Sequence, residues 1–374
     1  MIPRFIFQNI EKEMFQGKLI IVTGSRQVGK TTLLQHLKEQ HKGDVLWLNC
    51  DEPDIRLQLQ DATSTRLKEI TGEHKLVFID EAQRVKNIGL TLKLWVDNLK
   101  DVQVIATGSS ALELANEISE PLTGRKREYQ LFPISALEMI NHTSGREETR
   151  LLEQRLIYGY YPDIINYPAK ASVNLTELAD NYLYKDLLSL ESVRKPALLE
   201  KIIRALALQI GHEVSFNELS QLVGADNKTV EHYVQLLEKC FVIFQLNAFS
   251  RNLRNEIKKG RKIYFYDNGI RNAVIKNFNP LALREDTGAL WENYLMSERK
   301  KSNAYHQRFV NSYFWRTHAQ QEIDYIEESG GIITAIEFKW NTKAKVKCPE
   351  AFTKAYPQSE FKTINTENYP EFVL

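Results

Sequence analysis

The chain has 374 residues, of which 43% are hydrophobic and 26% charged, a balance typical of a folded protein with two or three domains. Its formal net charge of +1 excludes a uniformly polycationic protein, so a nucleic-acid contact would need a local basic patch. The three widely separated cysteines, Cys50, Cys240 and Cys348, indicate neither a disulfide framework nor a zinc site. We find no signal-peptide pattern and no apolar run of about 18 residues, and therefore expect a cytoplasmic protein without a membrane span.

Four short apolar runs near the N-terminus predict β-strands, at Lys18–Thr23, Val45–Asn49, Leu76–Asp80 and Val102–Thr107. Helical patterns lie between them, at Lys30–Glu39 and around Leu90–Leu99. Strands that alternate with helices favour a parallel sheet covered by helices on both faces. The first part of the chain is therefore predicted to be an α/β domain.

A phosphate-binding loop is predicted directly after the first strand. Residues Gly24–Thr31 read GSRQVGKT and match the P-loop (Walker A) pattern GxxxxGK[ST], between a strand and a helix as this motif requires. The glycines let backbone N–H groups point at phosphate oxygens, Lys30 offers a positive charge, and Thr31 offers a hydroxyl to Mg²⁺. The sequence thus predicts an ATP–Mg²⁺ site with the nucleotide-binding residues Gly24, Ser25, Arg26, Gln27, Val28, Gly29, Lys30, Thr31 and Thr32.

Two adjacent acids end the third predicted strand, as in a Walker B motif. Asp80 is predicted to hold Mg²⁺, together with Thr31. Glu81 is predicted to polarise the attacking water, which favours hydrolysis over mere nucleotide storage.

Two further candidates follow the fourth strand. Ser109 lies in Thr107-Gly-Ser-Ser, where a hydroxyl could contact the γ-phosphate; an ordinary Ser/Gly turn explains the same pattern. Arg125, in a basic turn, is a candidate for stabilising transition-state charge, in cis or from a neighbouring subunit of an oligomer. A solvated basic turn is the alternative interpretation for Arg125.

The middle of the chain is predicted to be helical and then to form a winged helix. Ser215-Phe-Asn-Glu218 has the pattern of a capping box, Gly224 ends that helix, and Asp226 or Asn227 caps a second one. Two apolar strands, Val242–Leu246 and Lys262–Tyr266, then flank a polar, basic stretch.

A hairpin with Gly330-Gly331 at its turn is predicted near the C-terminus. This register pairs residues whose numbers sum to 661, so that Asp324 faces Glu337 and Glu322 faces Lys339 on one sheet face. A divalent metal bound by Asp324, Glu337 and the carbonyl of Phe338 would relieve the repulsion between the carboxylates, with Lys339 activating a water. The alternative interpretation is a solvated face with cross-strand ion pairs.

Several stretches of the chain match one known group of proteins. They include IIVTGSRQVGKTTLL, FIDEAQ at Phe78–Gln83, ATGSSA at Ala106–Ala111, GYYPDII at Gly159–Ile165, YLYKDL at Tyr182–Leu187, KIYFYDNGIRNAV at Lys262–Val274, WENYL at Trp291–Leu295 and AIEFK ending at Lys339. Through these stretches nearly the whole chain resembles the prokaryotic AAA-superfamily ATPases that carry a C-terminal domain of unknown function. This resemblance implies an AAA core, a winged helix and a C-terminal domain similar to the PD-(D/E)xK nuclease fold, in which the helix residue Glu292 would complete the metal site as a ligand.

The predicted fold class is α/β, with a P-loop parallel sheet and a helical lid, then a winged helix and a C-terminal α/β nuclease-like domain. The predicted boundaries are 1–135 for the ATPase core, 136–195 for the lid or connector, 196–275 for the winged helix and 287–374 for the nuclease-like domain. Three functions stay open: an ATPase acting on or near DNA, a nucleotide-gated protein-interaction switch with a vestigial C-terminal site, and an ATP-regulated metal-dependent nuclease.

A basic stretch between the two wing strands is the predicted DNA contact, to the backbone rather than to bases. Docking of the wing against another part of the same protein is the alternative interpretation. The basic residues are Arg251, Arg254, Lys258, Lys259, Arg261 and Lys262.

Overall fold

The computed structural model describes residues 1–41, 43–108, 122–180, 195–250, 260–317, 319–344 and 346–374. They form two compact units, one of residues 1–134 with 239–241 and one of residues 135–238 with 242–374. In these ranges, no helix is long and apolar enough to cross a membrane.

The first unit is built on a five-stranded sheet with the order β2-β3-β4-β1-β5, in which all neighbouring strands are parallel. Its strands are β1 (Leu19–Thr23), β2 (Val45–Asn49), β3 (Leu76–Asp80), β4 (Gln103–Gly108) and β5 (Lys126–Gln130). Its helices are α1 (Phe5–Glu13), α2 (Lys30–Gln40), α3 (Pro53–Leu59), α4 (Ser64–Thr71) and α5 (Ile88–Asn98), with a 3₁₀ turn at Ala82–Arg84.

The central strands of this sheet are buried on both faces, which explains their continuous apolar sequences. Every residue of β3 is buried, and side chains from β1, β3 and β4 share one core with Leu92 and Trp95 of α5. Since Thr23 pairs with Gly108, and Ile79 with Ala106, the carboxyl ends of β1, β3 and β4 lie at one edge of the sheet. The four predicted strands and their parallel arrangement are confirmed.

The second unit contains a seven-stranded sheet with the order β12-β11-β10-β9-β7-β8-β6. Its strands are β6 (Glu213–Val214), β7 (Ile243–Ala248), β8 (Arg261–Phe265), β9 (Asn311–Arg316), β10 (Glu322–Ser329), β11 (Ile332–Phe338) and β12 (Glu360–Ile364). Its described helices are α6 (Ala136–His142), α7 (Gly145–Arg150), α8 (Leu152–Tyr158), α9 (Pro162–Asn166), α10 (Ala171–Ala179), α11 (Pro196–Leu208), α12 (Phe216–Val223), α13 (Asn227–Lys239), α14 (Asn268–Val274), α15 (Thr287–Tyr305), α16 (Glu350–Ala355) and α17 (Tyr369–Val373), with 3₁₀ turns at Pro168–Lys170 and Leu281–Leu283.

One sheet runs through two segments that the sequence suggested as separate domains. Strands β6, β7 and β8 continue into β9–β12 because β7 pairs in parallel with β9, where Asn247 lies opposite Tyr313 and Ala248 opposite Phe314. This pairing joins residues more than sixty positions apart in the sequence and has no local signal.

The C-terminal hairpin has the predicted register. Tyr325 pairs with Ile336 and Ser329 with Ile332, and both sums equal 661. Gly330 and Gly331 have φ of +59° and +83°, the left-handed backbone that a two-residue turn requires. The turn sequence alone therefore set which residues of β10 and β11 face each other.

Asp267 connects two of the recognisable sequence motifs. Its side chain caps α14 by accepting from the N–H of Ile270 at 3.2 Å, and it accepts from the N–H of Tyr160 at 2.7 Å. A Cβ at Gly159 would lie 2.0 Å from the same carboxylate, so glycine is required there. The GYYPDII and YDNG stretches thus fold against each other.

A cluster of two buried arginines and one partly exposed aspartate holds the segment before α15. Arg271 donates to Asp286 at 2.5 Å and to the carbonyl of Ala207 at 2.7 Å, and Arg284 donates to the other Asp286 oxygen at 2.8 Å. Partial burial alone would raise the pKa of Asp286, but the hydrogen bonds from Arg284 and Arg271 outweigh it and lower the pKa to about 2.

We expect Asp286→Asn to lower the free energy of unfolding by about 2 kcal/mol at pH 7. Because the folded-state pKa is lowered, the stabilisation is present above about pH 4 and disappears as the pH falls through about 2. Chemical unfolding measured between pH 7 and pH 2 checks this, and the variant should lose part of the acid dependence. Glu231→Gln, at an exposed position of α13, is the control; equal losses in the two variants would contradict the assigned role.

Candidate functional site

The loop Gly24–Thr31 lies between β1 and α2, as the sequence predicted. A Cβ at Gly24 would lie 2.1 Å from the carbonyl oxygen of Leu131, so glycine is required there. Gly29 has φ of +97° and directly precedes the first residue of α2, Lys30. The ammonium of Lys30, 5% exposed, donates to the carbonyls of Gly24 at 2.9 Å and Ser25 at 3.0 Å. The lysine therefore lies against the concave side of the loop, and the start of α2 directs its N–H groups there.

The other loop residues differ in exposure. Ser25 and Val28 are buried, whereas Arg26, Gln27, Thr31 and Thr32 are exposed.

Asp80 is held between hydroxyl groups from two other elements. Thr31 of α2 donates to one carboxylate oxygen at 2.8 Å, and Thr107 of β4 donates to the other at 2.5 Å. Asp80 is only 5% exposed, and a buried carboxylate needs such partners. The two residues predicted to bind Mg²⁺, Thr31 and Asp80, are thus in direct contact. The Thr107 contact was missed, because nothing local in the sequence signals which hydroxyl faces Asp80.

Glu81 has an unusual backbone and a fixed side chain. Its φ is +54°, in the left-handed region, and its N–H donates to the hydroxyl of Thr107 at 3.1 Å. The side-chain amide of Gln83 donates to the Glu81 carboxylate at 2.5 Å. A left-handed non-glycine residue is strained and is often found at functional sites. The left-handed backbone at Glu81 therefore lies directly after the end of β3, next to Asp80.

Arg125 lies at the opposite edge of the sheet from the phosphate loop. Lys126 pairs with Leu19, at the start of β1, whereas the loop follows Thr23 at its end. The separation is about 16 Å, from five residues at about 3.3 Å each. Arg125 instead forms an ion pair with Asp97 at 2.6 Å. Stabilisation of transition-state charge by Arg125 in cis does not agree with this placement. Its action on a neighbouring subunit stays a prediction. Ser109 lies outside the described residues.

The acids predicted to bind a second metal are each contacted by protein donors. Glu292 accepts from Lys262 at 3.0 Å and from the hydroxyl of Tyr264 at 2.6 Å. Asp324 accepts from the N–H of Phe338 at 2.8 Å, and Glu337 from Lys339 at 2.7 Å.

The predicted second metal site is therefore corrected. Among the residues that the structure describes, no group of three or more His, Cys, Asp or Glu side chains could hold a metal ion. The cation that offsets the carboxylates is Lys262, which also binds Glu322 at 2.5 Å. The predicted Glu322–Lys339 pair is absent: the β11 strand ends before Lys339, which binds Glu337 instead.

The electrostatics of this cluster follow from its burial. Burial alone would lower the pKa of Lys262, but the negative charges of Glu292, Asp324 and Glu322 outweigh it and raise the pKa. Burial, with Glu292 and Glu337 nearby, raises the pKa of the Asp324 carboxyl well above its usual range. Lys262 is thus held as an ammonium by the carboxyl groups around it.

This placement also corrects one predicted DNA contact. Lys262 is 1% exposed, so it cannot reach a phosphate without leaving its ion pairs. The guanidinium carbon of Arg261 lies 4.1 Å from the ring centre of Phe216, and its guanidinium donates to the side-chain oxygen of Gln245 at 3.3 Å. The other four basic residues, Arg251, Arg254, Lys258 and Lys259, lie outside the described residues.

We expect Lys262→Met to lower the free energy of unfolding by about 3–5 kcal/mol, because removing one member of a buried ionic cluster leaves the others uncompensated. Chemical unfolding of the full chain, followed by tryptophan fluorescence, measures the change. Adding Glu292→Gln to Lys262→Met should restore part of the loss, since it removes one of the uncompensated charges.

Lys354→Met is the matched control, because the Lys354 side chain is 79% exposed and pairs with Glu350 on the surface. Its change should stay within about 0.5 kcal/mol. A Lys262→Met variant as stable as this control would show that the ammonium does not offset the carboxylates.

Family models match three consecutive parts of the chain. Residues 16–140 match a model described as an AAA domain. Residues 149–281 and 287–369 match models described as domains of unknown function, DUF8612 and DUF4143.

The chain is also similar to several curated proteins, all called uncharacterized. A protein of Mycobacterium tuberculosis is 26% identical over 330 residues, covering 86% of this chain and 70% of that protein. A protein of Haemophilus influenzae is 25% identical over 305 residues, covering 72% and 73%. A protein of Methanocaldococcus jannaschii is 25% identical over 299 residues, covering 69% and 62%.

Solved structures give weak matches. The Pif1 helicase from Candida albicans matches with 17% identity and a TM-score of 0.27, over 48% of each chain, so this chain spans about half the length of that helicase. A chain of Drosophila ORC bound to AT-rich DNA and Cdc6 matches with 11% identity and a TM-score of 0.28, over 72% of this chain and 90% of that chain. At these TM-scores the alignments define no common overall fold. The match to the AAA model, together with the grouping of Lys30, Thr31 and Asp80, supports an AAA-type P-loop ATPase domain in residues 16–140.

Proposed function

We propose that this protein binds ATP with Mg²⁺ at the loop Gly24–Thr31 and hydrolyses it. The observation that carries the proposal is the Asp80 carboxylate between the hydroxyls of Thr31 and Thr107, at the edge of the sheet that also holds Lys30. A hydroxyl and a carboxylate are oxygen donors, which Mg²⁺ prefers. The donor set therefore fits this ion, and Thr31 and Asp80 are the residues that would hold it. Bound Mg²⁺ neutralises charge on the phosphate oxygens.

The residues of the chain then have separate roles in binding and hydrolysis. Backbone N–H groups of the loop and of the start of α2 bind phosphate oxygens, and the Lys30 ammonium turns from the carbonyls of Gly24 and Ser25 to the phosphates. Glu81, directly after Asp80, orients the attacking water and accepts its proton. Gln83 holds the Glu81 carboxylate in place before water is bound.

Two variants separate nucleotide binding from turnover. Lys30→Ala should lose most affinity for ATP, because it removes the ammonium that lies against the loop. Glu81→Gln should bind ATP like the wild type but lose turnover by about 100-fold or more, since general-base catalysis typically contributes that much. Calorimetric binding and steady-state phosphate release measure the two effects.

The outcome for Glu81→Gln decides its role. Turnover at the wild-type rate would remove Glu81 from the mechanism. The control is Glu11→Gln, at an exposed position of α1, which should leave both binding and turnover unchanged.

The rest of the proposal concerns what ATP turnover drives. Residues 196–275 have the element order helix, short strand, helix, helix, two strands and helix, which supports a winged helix. For residues 287–374 we propose a nuclease-like domain. We assign to these parts a cytoplasmic role on or near DNA, with nucleotide turnover changing their engagement. The Lys262 ammonium among the C-terminal acids favours a binding role over metal-dependent cleavage.

A DNA contact predicts a specific salt dependence. Neutralising Lys258, Lys259 and Arg261 should flatten the slope of log affinity against log salt by up to about 3 units, from about 0.9 per phosphate contact. Fluorescence anisotropy with duplex and single-stranded DNA measures the slope, and ATP turnover with and without DNA tests coupling.

Lys12→Ala, Lys68→Ala and Lys100→Ala together form the matched control, since these lysines are exposed in the first unit and lie outside the parts assigned to DNA. No binding by the wild type at low salt would favour the alternative, a nucleotide-gated switch for a protein partner.

A further inference from the structure

Arg4 makes contacts that neither the motif nor the matched AAA region includes. It lies before residue 16, where the match begins, and directly precedes α1. Its guanidinium donates to the carbonyl of Val28 at 2.7 Å and to the carbonyl of Phe132 at 2.6 Å. Val28 belongs to the phosphate loop, and Phe132 follows β5. One fork-shaped donor group thus joins the loop to the segment beside it.

The contact with Val28 determines how one loop peptide is oriented. In a trans peptide, the carbonyl and the following N–H point in opposite directions. Because Arg4 holds the Val28 carbonyl on its own side, the N–H of Gly29 must point to the other side. Phosphate loops bind their ligand through N–H groups of this kind.

The second contact fixes the neighbouring segment. Phe132 is 2% exposed and follows Leu131, whose carbonyl lies where a Cβ at Gly24 would be. Leu131 also donates its N–H to the carbonyl of Thr23 at 2.7 Å. The start of the loop therefore lies against Leu131, and Arg4 connects the next residue, Phe132, to Val28 near the end of the loop.

Arg4 is itself held in place by α1. Ile6 and Ile10 are buried in the first unit, and the ring of Phe7 lies 4.6 Å from that of His36 on α2. At the other end of α1, Glu13 forms an ion pair with Arg127 at 3.0 Å. Because α1 is packed against the rest of the first unit, it holds the Arg4 guanidinium in position.

We propose that Arg4 is a positioning residue that keeps the phosphate loop in its phosphate-binding conformation. This inference rests on the proposed ATP site. Arg4 touches the backbone of the loop and not the reacting atoms, so its effect is on nucleotide affinity. A loop already ordered by Arg4 loses less conformational freedom when phosphate binds.

Nucleotide affinity of the full chain tests the proposal. We expect Arg4→Ala to weaken binding of both ATP and ADP by about tenfold, the effect of losing one net hydrogen bond to a charged group. The rate at saturating ATP should change by less than about twofold, since Glu81 and Lys30 remain. Arg4→Lys should lie between wild type and Arg4→Ala, because a lysine keeps the charge without the two-pronged geometry.

Arg127→Ala is the matched control, since it removes another arginine contact of the same N-terminal helix without touching the loop. It should leave affinity for both nucleotides unchanged. Calorimetry well below the melting temperature of each variant separates affinity from stability. Equal weakening by Arg4→Ala and Arg127→Ala would overturn the proposal, because docking of α1 and not the guanidinium would then matter. If Arg4→Ala does not fold, wild-type affinity in Arg4→Lys and in Arg4→Gln would overturn it instead.

The result is distinguishable from a failure of the ATP site itself. A wild type that binds no nucleotide would remove both proposals. Equal affinity of the wild type and Arg4→Ala, with loss of affinity in Lys30→Ala, would support the ATP site and remove only the role of Arg4.

Discussion

The nucleotide site depends on the position of one carboxylate, that of Asp80. Both of its oxygens accept hydrogen bonds, from Thr31 at 2.8 Å and from Thr107 at 2.5 Å. These hydroxyls come from α2 and β4, so a single buried acid joins the helix after the loop to two strands of the sheet. The parallel register makes this contact possible, because it brings the ends of β1, β3 and β4 to the same edge. A shift of one strand by one residue would separate the acid from its partners.

Ion pairs connect structural elements of the second unit in a similar way. Lys262 lies among Glu292, Glu322 and Asp324, and Asp286 lies between Arg271 and Arg284. Such pairs add little net stability compared with apolar packing, but they are costly to break. The first cluster joins β8, β10 and α15, which are distant in the sequence, and the second joins α14 to the segment before α15. They therefore favour one arrangement of these strands and helices in the second unit.

The carboxylate of Asp80 and the carboxylates of Glu292 and Asp324 favour different chemistry. At Asp80, the partners are neutral hydroxyls, which leaves the negative charge of the carboxylate available to a cation. At Glu292 and Asp324, an ammonium that is 1% exposed already supplies the positive charge. The same residue types thus favour ion binding in one unit and an internal ion network in the other. This difference supports the ATPase proposal and weakens the nuclease alternative.

Local sequence determined much of this protein. The loop Gly24–Thr31, the acids Asp80 and Glu81, the apolar strands and the Gly330-Gly331 hairpin were all predicted, because each depends on neighbouring residues or on a fixed turn geometry. The pairing of β7 with β9, the hydroxyl of Thr107 against Asp80, the burial of Lys262 and the hold of Arg4 on Val28 were decided by tertiary structure. Each of these contacts joins residues that are distant in the sequence, and the local sequence does not indicate which distant residue a side chain will contact. The sequence therefore determined the chemistry that is present, and the packing of the chain decided which charges are available to a ligand.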